Sequence, residues 1–210
     1  WSQQAYIKAA NAASYYSFCT VTALDGDTLV VGGGGNEGVV YVYVRDGSTW
    51  TQQAQLSEGG ESNNPYTSTQ IYGTTVGIDG DSIAVGEPGR SNSEGVVYVY
   101  KRSGTSWSKE ATITASNADS LDYFGWEVAI ENNTLAVGAS LEASTQNTIT
   151  NDTTSSTNND GDQTGAVYVY TRSGSTWTQQ AYIKAANPDD RDKFGEHISL
   201  SGDTLAVGVP

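Results

Sequence analysis

Four segments of this chain align on one another without an internal gap: SFCTVTALDGDTLVVGG from Ser17, IYGTTVGIDGDSIAVGE from Ile71, YFGWEVAIENNTLAVGA from Tyr123 and KFGEHISLSGDTLAVGV from Lys193. Their aromatic positions, Phe18, Tyr72, Phe124 and Phe194, are 54, 52 and 70 residues apart. A second block recurs three times: GVVYVYVRDGSTW from Gly38, GVVYVYKRSGTSW from Gly95 and GAVYVYTRSGSTW from Gly165. Each Trp opens an alternating tail such as WTQQAYIKA. A chain made of copies of one unit folds as copies of one substructure, and repeats of about 40–50 residues rich in strand signals point to propeller blades.

Each unit reads as four strands. The first is FGxxVAI-like, and a tight turn follows: Asp25-Gly26, Asp79-Gly80, Asn132-Asn133 or Gly202-Asp203. These residue types tolerate the positive φ of a two-residue hairpin. The second strand is TLAVG-like and the third VVYVY-like, and both are apolar on both faces. Such strands need cover on both faces, which blades stacked around an axis supply. A turn of the Arg172-Ser173-Gly174-Ser175 type leads to the outer strand. Strict alternation there places Trp177, Gln179, Ala181 and Ile183 on one face and Thr178, Gln180, Tyr182 and Lys184 on the other. Trp1, Trp50, Trp107 and Trp177 are expected to be packing residues in a repeated slot.

The fold class expected is therefore all-β: a β-propeller of four-stranded antiparallel blades, with three complete blades and partial blades at both termini. Residues 1–210 form a single propeller or propeller segment. The blades run over 17–57, 71–115 and 123–186, the last with an inserted loop at 141–164. Residues 1–9 repeat an outer-strand sequence and residues 193–210 the two inner strands, so each belongs to a split blade. Ring closure between them lacks the VVYVY strand. The chain is therefore expected to be a piece of a longer array, or to be completed by a partner chain, since bare sheet edges are normally avoided. Trp1 is an improbable natural start, which also points to residues lost upstream.

Composition narrows the partners. A net charge of −14, from 24 acidic and 10 basic residues, argues against nucleic acid and against anionic membrane surfaces. No run approaches the length of a membrane span, so no membrane insertion is expected. Cys19 is the single cysteine and forms no internal disulfide. Sequons at Asn132 and Asn151 are candidate N-glycosylation sites in a secreting host.

Phe124-Gly125 and Phe194-Gly195, each followed by a strand and then VGAS or VGVP, resemble FG-GAP repeats, the blade units of the integrin α-subunit propeller and of many surface proteins. The W-[TS]-Q-Q-A-Y-I-K-A tail resembles a bacterial-type secreted subgroup. The resemblance implies a secreted or cell-surface protein. The pattern departs at Phe18-Cys19 and Tyr72-Gly73, and no unit has a full Gly-Ala-Pro. Integrin-type blades carry a calcium loop between the first two strands, but a calcium ion needs 6–8 oxygens and a loop long enough to wrap it. Here that connection is a tight turn, so Asp25, Asp27, Asp79, Asp81 and Asp203 read as turn formers.

Two other places offer ligands. The insertion ASLEASTQNTITNDTTSSTNNDGDQT is polar and reads as a solvated loop. Within it Asn159, Asp160 and Asp162 cluster oxygens around a Gly turn, a candidate Ca²⁺ site, although no cofactor is required. The segments entering the third and fourth repeats carry Asp119 with Asp122, and Asp189, Asp190 and Asp192. They read as Asx turns at a rim where a ligand can bind. Enzyme signals are poor: His197 is the single histidine and is expected near the axis, and there is no G-x-S-x-G elbow and no phosphate loop. The expected function is a non-catalytic extracellular interaction or adhesion module that binds a protein or glycan at a propeller rim. A carbohydrate-binding propeller is one alternative. A structural subunit of an extracellular fibre or surface layer, self-associating through incomplete terminal blades, is the other.

Overall fold

The computed structural model describes residues 2–9, 17–34, 38–58 and 72–210. Trp1, Asn11-Ala12-Ala13 and Ile71 lie outside the described residues. The structure is all-β. One sheet has the order β1 (Ser17–Asp25), β2 (Thr28–Gly34), β3 (Val39–Asp46), β4 (Thr49–Leu56). The second runs β5 (Thr75–Asp79), β6 (Ser82–Glu87), β7 (Val96–Ser103), β8 (Ser106–Ile113). The third runs β9 (Phe124–Glu131), β10 (Thr134–Ala139), β11 (Ala166–Ser173), β12 (Thr176–Ile183). A two-stranded sheet, β13 (His197–Ser201) with β14 (Thr204–Gly208), follows. All pairings within the sheets are antiparallel.

The first strands β1, β5, β9 and β13 touch in succession, so the sheets stack as propeller blades, and the ring is not closed. Thr75 Oγ1 donates to Glu127 Oε1 at 3.3 Å between two of these strands. His197 stands next in the series, exposed at the start of β13. Each apolar core lies between blades. Ile83 and Val85 of β6 face Val30, Val40 and Leu56 of the first blade. Ala84, between them, faces the opposite way into a cluster with Phe124, Leu135 and Tyr168 of the third. The period-2 alternation of a strand thus sends its two apolar faces into two different cores.

Glycine sets how closely blades approach. A Cβ on Gly86 of β6 would drive into the carbonyl oxygen of Gly125 in the next blade. Gly138 stands against Gly195, and Gly32 against Gly73, in the same way. Gly125 also has φ +87, a left-handed conformation that side chains disfavour. In the first blade Cys19 takes the equivalent position at φ +71 and is exposed.

At the opposite rim the predicted turns form, and their carboxylates reach further than a turn requires. Asp25 Oδ2 accepts from Gly80 N–H of the next blade at 2.7 Å. Asp79 Oδ2 does so from Asn132 N–H, and Glu131 Oε2 from Gly202 N–H, each at 2.7 Å. Asp81 pairs with Arg102 at 2.6 Å, and that guanidinium lies over Trp107. Arg45 repeats the arrangement with Asp27 and Trp50.

The outer strands depart from strict alternation. A bulge in each leaves Gln53, Glu110 or Gln180 without a partner opposite. In β12 it brings Ala181 and Tyr182 both into burial, so the predicted split of Trp177, Gln179, Ala181 and Ile183 from Thr178, Gln180, Tyr182 and Lys184 does not hold. The reason is that one extra residue reverses the phase of a period-2 strand. The bulged side chains link blades: Trp107 Nε1 donates to Gln53 Oε1 at 2.8 Å and Trp177 Nε1 to Glu110 Oε2 at 3.0 Å. Trp50, Trp107 and Trp177 are half-buried against the cores, as their repeated slot implies. Residues 2–9 form no strand, yet Trp50 Nε1 donates to Gln4 Oε1 at 3.3 Å. Gln4 holds the same place in its tail as Gln53, so this segment sits where a preceding outer strand belongs.

Gly86→Ala is expected to cost about 3 kcal/mol through overpacking between blades. Gly104→Ala, at a turn with φ +62 and no atom within 4 Å, is expected to cost about 1 kcal/mol. Urea unfolding of both variants measures the difference, and equal losses would show that the glycine contact does not set blade spacing.

Candidate functional site

The insertion between β10 and β11 is built into the third blade and is not the loose solvated loop its composition suggested. Thr150 and Tyr182 exchange both backbone hydrogen bonds at 2.9 Å, which gives the outer edge of β12 a partner. Further along, Gln179 Nε2 donates to Thr154 O at 3.1 Å and to Ser155 Oγ at 3.0 Å. Asn117, from the connection between β8 and β9, donates to Ser156 O at 2.5 Å. The polar side chains that favoured a loop reading are the groups that fasten it.

The root of the insertion is a buried ion pair. Lys184 Nζ and Glu142 Oε2 are 2.7 Å apart, and both side chains are 0% exposed. Glu142 Oε1 accepts from Tyr182 Oη at 2.9 Å and from Asn117 Nδ2 at 3.4 Å, while Oε2 also accepts from Ser144 N–H at 3.1 Å. Lys184 donates as well to Thr164 Oγ1 at 2.8 Å, and Tyr168 Oη donates to Asn117 Oδ1 at 2.7 Å. Burial pushes the Lys184 ammonium below its ordinary range, against the pull of Glu142. A buried pair is tolerable when most of its remaining donors and acceptors are also met, as they are here. Sequence reasoning passed over Glu142 and Lys184. The available signal was a charged residue closing the apolar run Tyr182-Ile183.

Two copies of one turn lead into the third and fourth repeats. Asp122 Oδ2 accepts from Asp119 N–H at 2.9 Å, and Asp192 Oδ2 from Asp189 N–H at 2.9 Å, as the Asx reading predicted. Each turn is clamped by the loop of the preceding blade: Tyr123 N–H donates to Ser93 O at 2.8 Å and Lys193 N–H to Gln163 O at 2.9 Å. Asp122 is buried, and that desolvation raises its carboxyl to about 7, with the Asp119 N–H pulling down and the charge of Glu142 pushing up.

The first turn and the insertion enclose an open cavity of about 370 Å³, lined among others by Asp119, Leu121, Tyr123, Leu141, Asn159 and Asp162. Asn159 Nδ2 donates to Asp119 Oδ2 at 2.8 Å. Asp162 N–H donates to Asp190 Oδ1 at 3.0 Å, and Arg191 Nε stands 3.1 Å from Asp162 Oδ2. Residues from both predicted groups, the insertion cluster and the acidic turns, therefore meet on one rim. Asp160 turns elsewhere, accepting from Asn158 Nδ2 at 2.5 Å. Asn159, Asp160 and Asp162 thus engage three different partners. Among the described residues no three acidic, histidine or cysteine side chains gather in a metal-binding group. Asp189 and Asp192 stay in the second turn. Asn132 is exposed at φ +56 in the hairpin of the opposite rim, and Asn151 is exposed beside the Thr150 bridge.

A model of the FG-GAP repeat matches residues 107–170 and 177–210, the parts of the chain that build this rim. These two segments are FG-GAP repeats. The first two blades share the same four-strand layout and the same glycine contact. No curated protein matches the chain in sequence. FG-GAP repeats suggest an integrin-like propeller module and are typical of extracellular or surface proteins. No described helix is long and apolar enough to cross a membrane.

Two outcomes follow from the buried groups. Lys184→Met alone is expected to cost about 3–5 kcal/mol by stranding the Glu142 carboxylate, and the double variant with Glu142→Leu to lose less, as read by denaturant unfolding. The folded-state pKa of Asp122 lies above its ordinary 3.8. The stability from its neutral form is therefore full below that value and is lost as pH rises through about 7. Asp122→Asn is expected to flatten the melting temperature over that window, and parallel profiles for both proteins would contradict the burial argument.

Proposed function

We propose that this chain is a non-catalytic interaction module that works outside the cell or at its surface and engages a protein or glycan through the rim of its third and fourth blades. The observation that carries this reading is the insertion. An ordinary blade needs only a short connection there, yet 26 residues from Ser140 to Gly165 are anchored by a buried ion pair and raise an open cavity. Loops held by a rigid scaffold are where propellers carry recognition. The exposed Leu121, 57% accessible at the cavity mouth, fits a contact surface.

No metal is needed for this reading, because the candidate calcium ligands Asn159, Asp160 and Asp162 engage three different partners. Added calcium is expected to leave the melting temperature unchanged, since only a ligand of the folded state raises it. The main test is a photo-crosslinking residue placed at Leu121 and, separately, at Ser173 on the opposite rim. Adducts with a partner are expected from position 121 alone. Equal adducts from both positions, or none from 121, would refute the rim as the binding face.

A second reading, self-association through the terminal blades, is favoured by one observation. Gly208 matches Gly86 and Gly138 in its repeat, but among the described residues a Cβ there would meet His197 and not a glycine of another blade. That face of β13 and β14 is open to a further blade. Light scattering at rising concentration tests it, and a monomer throughout would remove it.

A further inference from the structure

We propose that the rim cavity takes a neutral saccharide unit, a single hydroxylated ring of a glycan. This rests on the rim being the binding face and names its ligand. Sugar hydroxyls each give and take a hydrogen bond, so a saccharide site mixes donors with acceptors over an apolar floor. The cavity has that mixture. Asp119 Oδ1, Asn159 Oδ1 and Asp162 Oδ1 accept nothing among the described residues, because Asn159 and Arg191 engage the opposite ends of those groups. The Gln163 side chain lines the same space. Ser120 Oγ accepts from Asn92 Nδ2 at 2.9 Å and keeps its own proton to donate.

The apolar part is also in place. Leu141 and Ala143 line the cavity with Tyr123, whose ring is held edge-on to Trp126 at 5.9 Å between centroids. Leu121 adopts φ +74, a left-handed conformation that an ordinary side chain disfavours, and burial of its own side chain does not offset it. The same turn one repeat later carries Arg191 at φ +69, so the conformation belongs to the turn while the apolar side chain belongs to this cavity. A volume of about 370 Å³ suits one ring with its substituents.

The wall favours a neutral ligand over a cation. Asp162 already pairs with Arg191, and Asp119 accepts the Asn159 amide. Asp122, the buried carboxylate of the wall, gives an Oδ2 acceptor to Asp119 N–H and is desolvated, which disfavours its charge.

The test is an amide-resolved NMR titration of the whole chain with glucose, galactose, mannose and N-acetylglucosamine in turn, to tens of millimolar. Saturable shifts are expected for at least one of them, confined to residues 119–123, 141–143 and 159–163. Tyr123→Ala and Asn159→Ala are each expected to weaken that binding about tenfold while leaving the spectrum dispersed and the melting temperature within a few degrees. Methylammonium chloride and calcium chloride are titrated in parallel. Shifts at the cavity with either cation and with no sugar would overturn the saccharide assignment. So would sugar shifts that persist unchanged in both variants. Silence with every sugar, while crosslinks still form from position 121, overturns the saccharide and leaves the rim. Silence in the titration and in the crosslinking overturns both.

Discussion

Adjacent blades touch backbone to backbone at pairs of glycines, and the rest of the architecture depends on that distance. Gly86 against Gly125 and Gly138 against Gly195 bring the second strand of one blade onto the entry of the next. At that spacing the two faces of strands such as β6 reach different cores, one on each side. It also brings the entry turn of one blade within hydrogen-bonding range of the loop of the blade before it, as Tyr123 with Ser93 and Lys193 with Gln163 show. A methyl group at any of these glycines separates the sheets and with them both the cores and the rim.

The two rims use the blade contact differently. At one, short turns form a repeated bracket in which a carboxylate accepts an N–H from the neighbouring blade and an arginine covers a tryptophan. These groups are spent on holding blades together. At the other rim the connections are longer and differ from blade to blade. There the buried Glu142–Lys184 pair lets a polar insertion stand on the protein without an apolar core of its own, because each buried charge and most of its hydrogen-bonding capacity are met. Variation in sequence is concentrated at the rim where the structural demands of the repeat are lightest.

Much of the fold was legible in the sequence because it follows from local rules applied repeatedly. The apolar double-faced strands, the Asp-Gly turns, the tryptophan slot and the Asx turns at Asp119 and Asp189 all appear where short-range spacing put them. Strict alternation failed in the outer strands, where a bulge at Gln53, Glu110 or Gln180 carries a side chain to the next blade's indole. A bulge answers to a partner in another repeat, and no window within one strand contains that partner. The site was legible only in fragments. Asp119, Asp122, Asn159 and Asp162 stood out as oxygen-rich residues, but their meeting across 40 residues of chain did not.

The sequence alone determined that this protein is a stack of β blades, since repeats of strand signals that are apolar on both faces are covered by packing one copy against the next. It also determined where the turns fall, because Asp, Asn and Gly set their own backbone angles. Only the tertiary structure decided what the insertion does. Its composition is that of a solvated loop, and nothing local distinguishes a Glu that will face water from one that will meet a buried Lys 42 residues later. That pairing exists because the blade places β12 beside the root of the loop, and the cavity above it is a consequence of the same placement.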